Sequence, residues 1–310
     1  MSARVGIVVR TVDRPDFLRR TFKDISSQNF DDWRVVVVVD GGEVDAVAAV
    51  VAEASWGDRV RVIATTAPGG RCAAANAGVA ALDTEYVVLH DDDDFWHPDF
   101  LRRTVARLDE SPAESGVGVT TAIVYETFRD GAWIETERVP FWEGLDSLRL
   151  IDLVEVNRAV PISVLYRRSL HDEVGPYDET LDAVEDWEFY LRALARHRFG
   201  FIAGEPLAFW TQRPDAHGAE GNSMFALDHL HRRDDQEVRE RALRAWIADN
   251  GMGLPLYIAQ VEQRIRAEVR REIELAFERQ RADIRQDIDS HQPVWSRLRR
   301  LRRRLLPRRR

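Results

Sequence analysis

The sequence predicts an α/β protein: an open, mostly parallel sheet flanked by helices, with a C-terminal helical extension. Two observations carry this. Over the first hundred residues short β-branched runs alternate with amphipathic stretches, the rhythm of a sheet covered on both faces. The second run holds five consecutive valines and stops at Asp40-Gly41-Gly42, and the fourth stops at Asp91-Asp92-Asp93-Asp94. Sheets of this kind bind ligands beyond the carboxyl ends of their strands, where both aspartate clusters sit.

In chain order, the apolar spacing gives a buried strand over 5–9 and a helix over 15–27 with Pro15 near its start. A strand over 34–39, a helix over 44–54, a strand over 60–64 and an alanine-rich helix over 72–81 follow, then a strand over 86–89. After Pro98 the pattern loosens into a helix over 100–108, a strand over 117–125, a Trp-rich irregular stretch over 133–142, an apolar run over 162–166 and a helix over 186–196. Beyond about residue 224 the composition shifts. Arg, Glu, Ala, Leu and Ile recur at helical spacing over 232–290, interrupted at 251–255, and Val261, Ile265, Val269, Ile273 and Ala276 form one apolar stripe. The expected organisation is a domain over 1–225, a helical extension over 226–294 that could serve as a homodimerisation arm, and an Arg-rich amphipathic tail over 295–310.

Composition excludes several classes. The single cysteine, Cys72, rules out an internal disulfide and a cysteine-based zinc cluster. No apolar run near the start suits a signal peptide and none reaches about 18 residues, so no spanning helix is expected. Lys23 is the only lysine, which removes a Schiff-base or P-loop lysine elsewhere. Net charge is −9, but nine arginines and no acid fall within 297–310, leaving −18 on the rest. An acidic body argues against nucleic acid as a partner. The tail places Leu298, Leu301 and Leu305 on one helical face among arginines, the pattern of a helix drawn to anionic lipid, or else of a solvated basic end. The expected location is cytoplasmic, peripheral at the inner face of the cell membrane.

Four adjacent carboxylates at a strand end repel one another, and a cation relieves that repulsion. Mg²⁺ or Mn²⁺ takes oxygen ligands, often one or two carboxylates plus substrate phosphates. The other reading is a solvated acidic turn before a helix, where the helix dipole favours aspartate.

Context favours the metal. Arg4 to Thr11 followed by Asp13-Arg14-Pro15, the strand ending at Asp40, and Gly70-Arg71 through Asn76-Ala77-Gly78 occur in order with the acidic run, Trp96 and Pro98. Gly175-Pro176-Tyr177-Asp178 and Glu185-Asp186-Trp187-Glu188 follow. This series, from about residue 3 to 223, resembles glycosyltransferase family 2, the inverting nucleotide-sugar-dependent enzymes of GT-A fold. The resemblance implies that Thr11, Arg14 and Asp40 line the base pocket, with Arg71 near the base or phosphates and Asn76 on the same cofactor-binding side. It implies that Asp91 faces the ribose, with Asp92 beside it, and that Asp93 ligates Mn²⁺ or Mg²⁺ with Asp91 and His217 as further ligands. Asp186 becomes the general base and Glu185 its acidic neighbour. Two departures stand out: Asp40-Gly41-Gly42 replaces the usual Asp-Asp-Gly-Ser, and His90 and Asp92 occupy positions more often apolar and small or polar. With four aspartates the motif's register stays open, so Asp92 or Asp94 could share the metal role.

The implied donor is a UDP-sugar, with dTDP- and GDP-sugars open, and the implied acceptor is a glycan or lipid-linked glycan. No GxGxxG follows the first strand and no GxxxxGK[ST] occurs, against dinucleotide and P-loop chemistry. A sugar nucleotidyltransferase would need glycines between Val9 and Pro15, and there are none. The non-enzymatic alternative is a transferase-like glycan-binding or scaffold protein. His90, His97 and Cys72 read as structural, and Trp133, Trp142 and Trp187 as either core or a sugar-stacking platform.

Overall fold

The computed structural model describes residues 3–12, 14–65, 69–216, 221 and 228–291, with side chains to 288. The chain divides into two compact units between Arg239 and Glu240. His217 and the Arg-rich tail lie outside the described residues.

The first unit is built on a seven-stranded sheet. β1 (Val5–Thr11) lies between β2 (Trp33–Val39) and β4 (Tyr86–Asp91), with β3 (Val60–Ala64) beyond β2, all parallel. Beyond β4 come β9 (Val164–Arg167), antiparallel to both neighbours, then β6 (Glu114–Val119) and β10 (Arg198–Ile202). A four-stranded sheet runs in the order β5 (Phe95–Trp96), β11 (Ala208–Gln212), β7 (Thr121–Arg129), β8 (Ala132–Pro140).

Alternation along the central strands explains the layering. Ile7, Val9, Val35 and Val37 pack with Leu18, Phe22 and Ile25 of α1 (Pro15–Ser26), Val47 and Val50 of α2 (Val44–Ala54), and Phe100 and Leu101 of α4 (Phe100–Glu110). Val8, Val36 and Val38 pack instead with Ala74, Ala75 and Val79 of α3 (Gly70–Ala80) and Phe189, Tyr190 and Ala193 of α7 (Glu185–Leu194). Period-two side chains from one strand thus feed two cores, giving the expected helix–sheet–helix arrangement. Gly78 lets α3 sit tightly on β1: a Cβ there would overlap the Val8 side chain.

Three local expectations change. The strand expected over 117–125 breaks at Thr120, and its halves enter different sheets. The stretch expected to be irregular over 133–142 is mostly β8, hairpinned to β7 through Asp130-Gly131, both at positive φ (52° and 81°). That dipeptide is a hairpin signal, masked because β8 exposes both faces. Short helices α5 (Leu150–Glu155) and α6 (Leu170–Val174) and strands β9 to β11 carry no strong periodicity.

α8 (Asp228–Asn250) begins in the first unit. The Asp234 carboxylate there accepts from the amides of Asp182 and Ala183 at 2.7 and 2.8 Å. Arg239 donates to the carbonyls of Val154 and Glu155 and lies over the Trp187 ring. In the second unit α9 (Gly253–His291) leaves Ile265, Val269, Ile273 and Phe277 at least half exposed. Among the described residues no helix is long and apolar enough to cross a membrane.

Candidate active site

The carboxyl ends of β1 to β4 gather the expected residues, and the acidic run folds back over them. Thr11, the last residue of β1, donates its hydroxyl to Asp92 Oδ2 at 2.7 Å. Arg14, at the start of α1, reaches Asp92 Oδ1 at 2.8 Å and Asp93 Oδ2 at 3.0 Å. Arg213, just past β11, also pairs with Asp93 Oδ2 and reaches Glu126 at 3.5 Å. Its guanidinium is fully buried between Phe17 and Trp133, 4.5 and 5.3 Å from their ring centres. Asp94 accepts from the Thr211 amide at 2.8 Å.

These partners divide the four carboxyls. Burial raises Asp92 to about 7 despite Arg14. Burial and the neighbouring Asp93 and Asp91 carboxylates push Asp94 well up. Asp93 goes the other way: burial opposes its ionisation, but Arg14 and Arg213 hold it below the usual carboxylate range. Asp92 and Asp94 are therefore internal supports of the loop, and Asp93 keeps its charge.

A second cluster forms where α7 begins. Glu185 and Asp186 are both buried. Burial works against Glu185 ionising, yet Arg71 and Arg10 hold it lowered. Asp186 is raised to about 7, by burial first and then by the charge on Glu185, while a hydrogen bond from Asn157 at 3.0 Å pulls the other way. Two adjacent carboxyls whose surroundings drive them apart are the arrangement expected of an acid–base site. Val184, which leads into them, sits at φ 57°, a left-handed backbone that a β-branched residue rarely adopts. Such strain costs about 1–3 kcal/mol and persists where the surroundings over-determine it. Here Asp234 pins the two preceding amides and Arg10 pins the following side chain.

Among the site residues that the sequence did not single out, together with Asn157 and Arg213, is Arg10. Its side chain, only 9% exposed, donates to Asp91 Oδ1 from Nε and Nη2 at 3.0 and 2.5 Å. Nη1 donates to Glu185 at 2.6 Å and to the Arg71 carbonyl at 3.3 Å.

Other expected residues have partners of their own. Asp40 accepts from the Thr65 hydroxyl and the Gly69 amide, both at 2.8 Å, and so braces the loop between β3 and α3. Asn76, expected on the cofactor side, exchanges hydrogen bonds with the Tyr177 backbone at 2.9 Å each way and reaches Glu179 at 2.8 Å. Both of its N–H donors hold α3 to the segment before α7. Arg71 acts on Glu185. The trio Asp91, Asp93 and His217 is not assembled among the described residues, where no three His, Cys, Asp or Glu side chains gather for a metal ion. Asp93 faces two guanidiniums, and His217 lies outside the description.

His90 is structural, buried against Trp96 and bonded to Asp24 at 3.0 Å. Trp187 is core, its indole donating to the Leu153 carbonyl at 2.7 Å. Cys72 is buried, with its thiol pushed up to about 12 mainly by burial. Trp142 is 36% exposed and walls a cavity of about 440 Å³ with Thr121, Pro140, Leu145, Arg138 and Glu143. Arg158, next to Asn157, lies 4.9 Å from the Trp142 ring centre.

The chain resembles known proteins. The family described as "Glycosyl transferase family 2" matches residues 6–175, from β1 through the acidic loop to Gly175. The uncharacterized glycosyltransferase YwdF of Bacillus subtilis (strain 168) is 30% identical over 196 residues, 63% of this chain and 69% of its own. The succinoglycan biosynthesis protein ExoO of Rhizobium meliloti (strain 1021) is 31% identical over 201 residues, and the chain covers 63% of itself but only 56% of ExoO. S. aureus TarS 1–349, solved in complex with UDP-GlcNAc, shares the fold with a TM-score of 0.57 at 16% identity, over 81% of this chain and 75% of that one. With more than half of the chain matched, and the match running through the strand ends that carry the buried acidic loop, the chain belongs to glycosyl transferase family 2 and is a glycosyltransferase of GT-A fold.

Proposed function

We propose that the enzyme transfers a sugar from a nucleoside diphosphate donor, a UDP-sugar first, to a hydroxyl of a glycan or lipid-linked glycan, inverting the anomeric carbon. The TarS complex supports the donor class and ExoO the acceptor class. The observation that carries the reading is Asp186, a buried carboxyl at a helix start, raised to about 7 beside an anionic Glu185. A base whose pKa lies near working pH is both available and strong enough to take an acceptor proton.

Asp186 accepts the proton of the acceptor hydroxyl as oxygen attacks the anomeric carbon, and Asn157 fixes the carboxylate's orientation. As the bond to phosphate breaks, negative charge grows on the leaving diphosphate, and Arg14 and Arg213 supply positive charge at the acidic loop. The loop also suits a divalent ion. Asp93 stays anionic, and the two hydrogen bonds from Arg10 to the Asp91 carboxylate both fall on Oδ1. One or two carboxylates are what Mg²⁺ or Mn²⁺ asks when phosphates complete its shell. Held there, the ion would supply Lewis-acid stabilisation of the diphosphate.

Calorimetry with UDP, dTDP, GDP and CDP, each with and without Mn²⁺, tests this directly. One diphosphate should bind in a metal-dependent way, and Asp91→Ala and Asp93→Ala should each weaken it about tenfold or more, a loss of roughly 1.4 kcal/mol. A folded protein that binds none would leave the non-catalytic scaffold reading instead.

The acceptor side is read from the Trp142 cavity, lined by the start of β7, the end of β8 and the residues after it, whose Trp142 ring lies against Arg158, the residue next to Asn157. A sugar ring stacked on the exposed indole would gain roughly what an aromatic pair gains. Trp142→Ala should therefore raise the acceptor KM between about twofold and tenfold with kcat nearly unchanged. A fall in kcat at constant KM would place the acceptor elsewhere.

A further inference from the structure

We propose that Arg10 is a positioning residue that couples the donor end of the site to the catalytic acidic pair. The inference rests on the transferase reading and adds a residue to it.

β1 and β4 are parallel neighbours with Arg10 opposite Asp91 in register, so a side chain from the end of β1 meets the start of the acidic loop without crossing solvent. From there the guanidinium divides its donors. One edge, Nε with Nη2, takes Asp91, and Nη1 takes Glu185 together with the Arg71 carbonyl at the start of α3. Asp91 and Glu185 are 94 residues apart in sequence, and one cation ties them. A planar, always-charged fork with five donors can serve two carboxylates at once; the single ammonium of lysine, a point charge, cannot hold both in fixed directions.

What makes this a coupling device is the state of the segment it holds. Val184 is strained, and Glu185 follows it immediately. On the far side Asp234 fixes the amides of Asp182 and Ala183. On the near side Arg10 donates to the Glu185 carboxylate at 2.6 Å. A diphosphate with its cation arriving at Asp91 changes what Asp91 offers to Arg10, and hence how firmly Arg10 holds Glu185. Donor loading would then order the start of α7, and with it Asp186, before the acceptor is attacked.

Backbone hydrogen exchange on the full chain tests this, with the diphosphate that calorimetry selects and Mn²⁺ as the probe. In the wild type, ligand should slow exchange across 184–188 about tenfold, within the usual range of coupling between two sites. In Arg10→Gln the diphosphate should still bind, while protection at 184–188 falls below about twofold; Arg10→Lys should recover it in part. A double-mutant cycle in transfer rate gives a second reading. Arg10→Gln and Glu185→Gln should be strongly non-additive, the pair costing about as much as the worse single change. Protection that persists in Arg10→Gln, or additive losses in the cycle, would overturn the coupling while leaving the transferase reading intact. A wild type that binds no diphosphate would overturn both.

Discussion

Asp186→Asn is expected to lower kcat about a thousandfold while leaving nucleoside diphosphate affinity within about twofold of wild type. The amide keeps the size of the carboxyl but cannot take a proton, and a positioned general base contributes typically about 10²–10⁴-fold. Donor affinity should be spared because the hydrogen-bond partner of Asp186 is Asn157 rather than the acidic loop. Initial rates set beside calorimetry on the same protein decide it. An Asp186→Asn enzyme with near wild-type turnover would remove Asp186 from the chemistry.

The same residue fixes a pH dependence. Asp186 works only when deprotonated, and its folded value lies at about 7, so the rate should rise with pH through that region and level off above it. Below, it should fall about tenfold per pH unit. The causes of the shift predict how the limb moves. Glu185→Gln removes the charge that, after burial, raises Asp186, so the limb should move to lower pH. Asn157→Leu removes the hydrogen bond that lowers it, and the limb should move up. Opposite shifts from two neighbours of one carboxyl are hard to produce by general damage to the fold.

How much of this was legible in the sequence depends on how local the cause is. β1 to β4 announce themselves because burial on both faces demands continuous apolar runs, and a run of valines has few other uses. The acidic loop is equally visible, since its residues adjoin in sequence. Its internal division is not: Asp93 differs from Asp92 and Asp94 through Arg213, some 120 residues away. Arg10 illustrates the limit most clearly. An arginine closing a valine strand reads as the residue where the chain meets solvent, and only the return of Glu185 some 175 residues later buries it. Asn76 belongs to a visible motif, but its bonds to Tyr177 and Glu179 are not visible, because spacing gives the face of α3 and not what packs there. Asp234, which pins the approach to Glu185, lies in a stretch whose composition says only charged helix.

Arg213→Met is expected to cost about 3 kcal/mol of stability, the low end for removing one member of a buried ion pair, because Arg14 still pairs with Asp93 and Arg20 with Glu126. For a unit of this size that is a fall in Tm of roughly 6–12 °C. The guanidinium is fully buried, shared between Asp93 and Glu126 and enclosed by Phe17 and Trp133, so water cannot readily replace it. Methionine keeps much of the volume, which confines the loss to charge and hydrogen bonding. Arg213→Met combined with Asp93→Asn should recover part of the loss, because the buried carboxylate that has lost one of its two cations is then gone. The sign of the pH dependence follows from Asp93, whose folded pKa is depressed. The stability it contributes is present above the ordinary carboxylate value and disappears as pH falls through the folded one, so wild type and variant should converge only in strong acid. A variant that melts within about 2 °C of wild type at pH 7 would mean that Arg14 alone suffices to hold Asp93. In that case the second sheet, which delivers Arg213 and Glu126, would be a neighbour of the acidic loop rather than one of its supports.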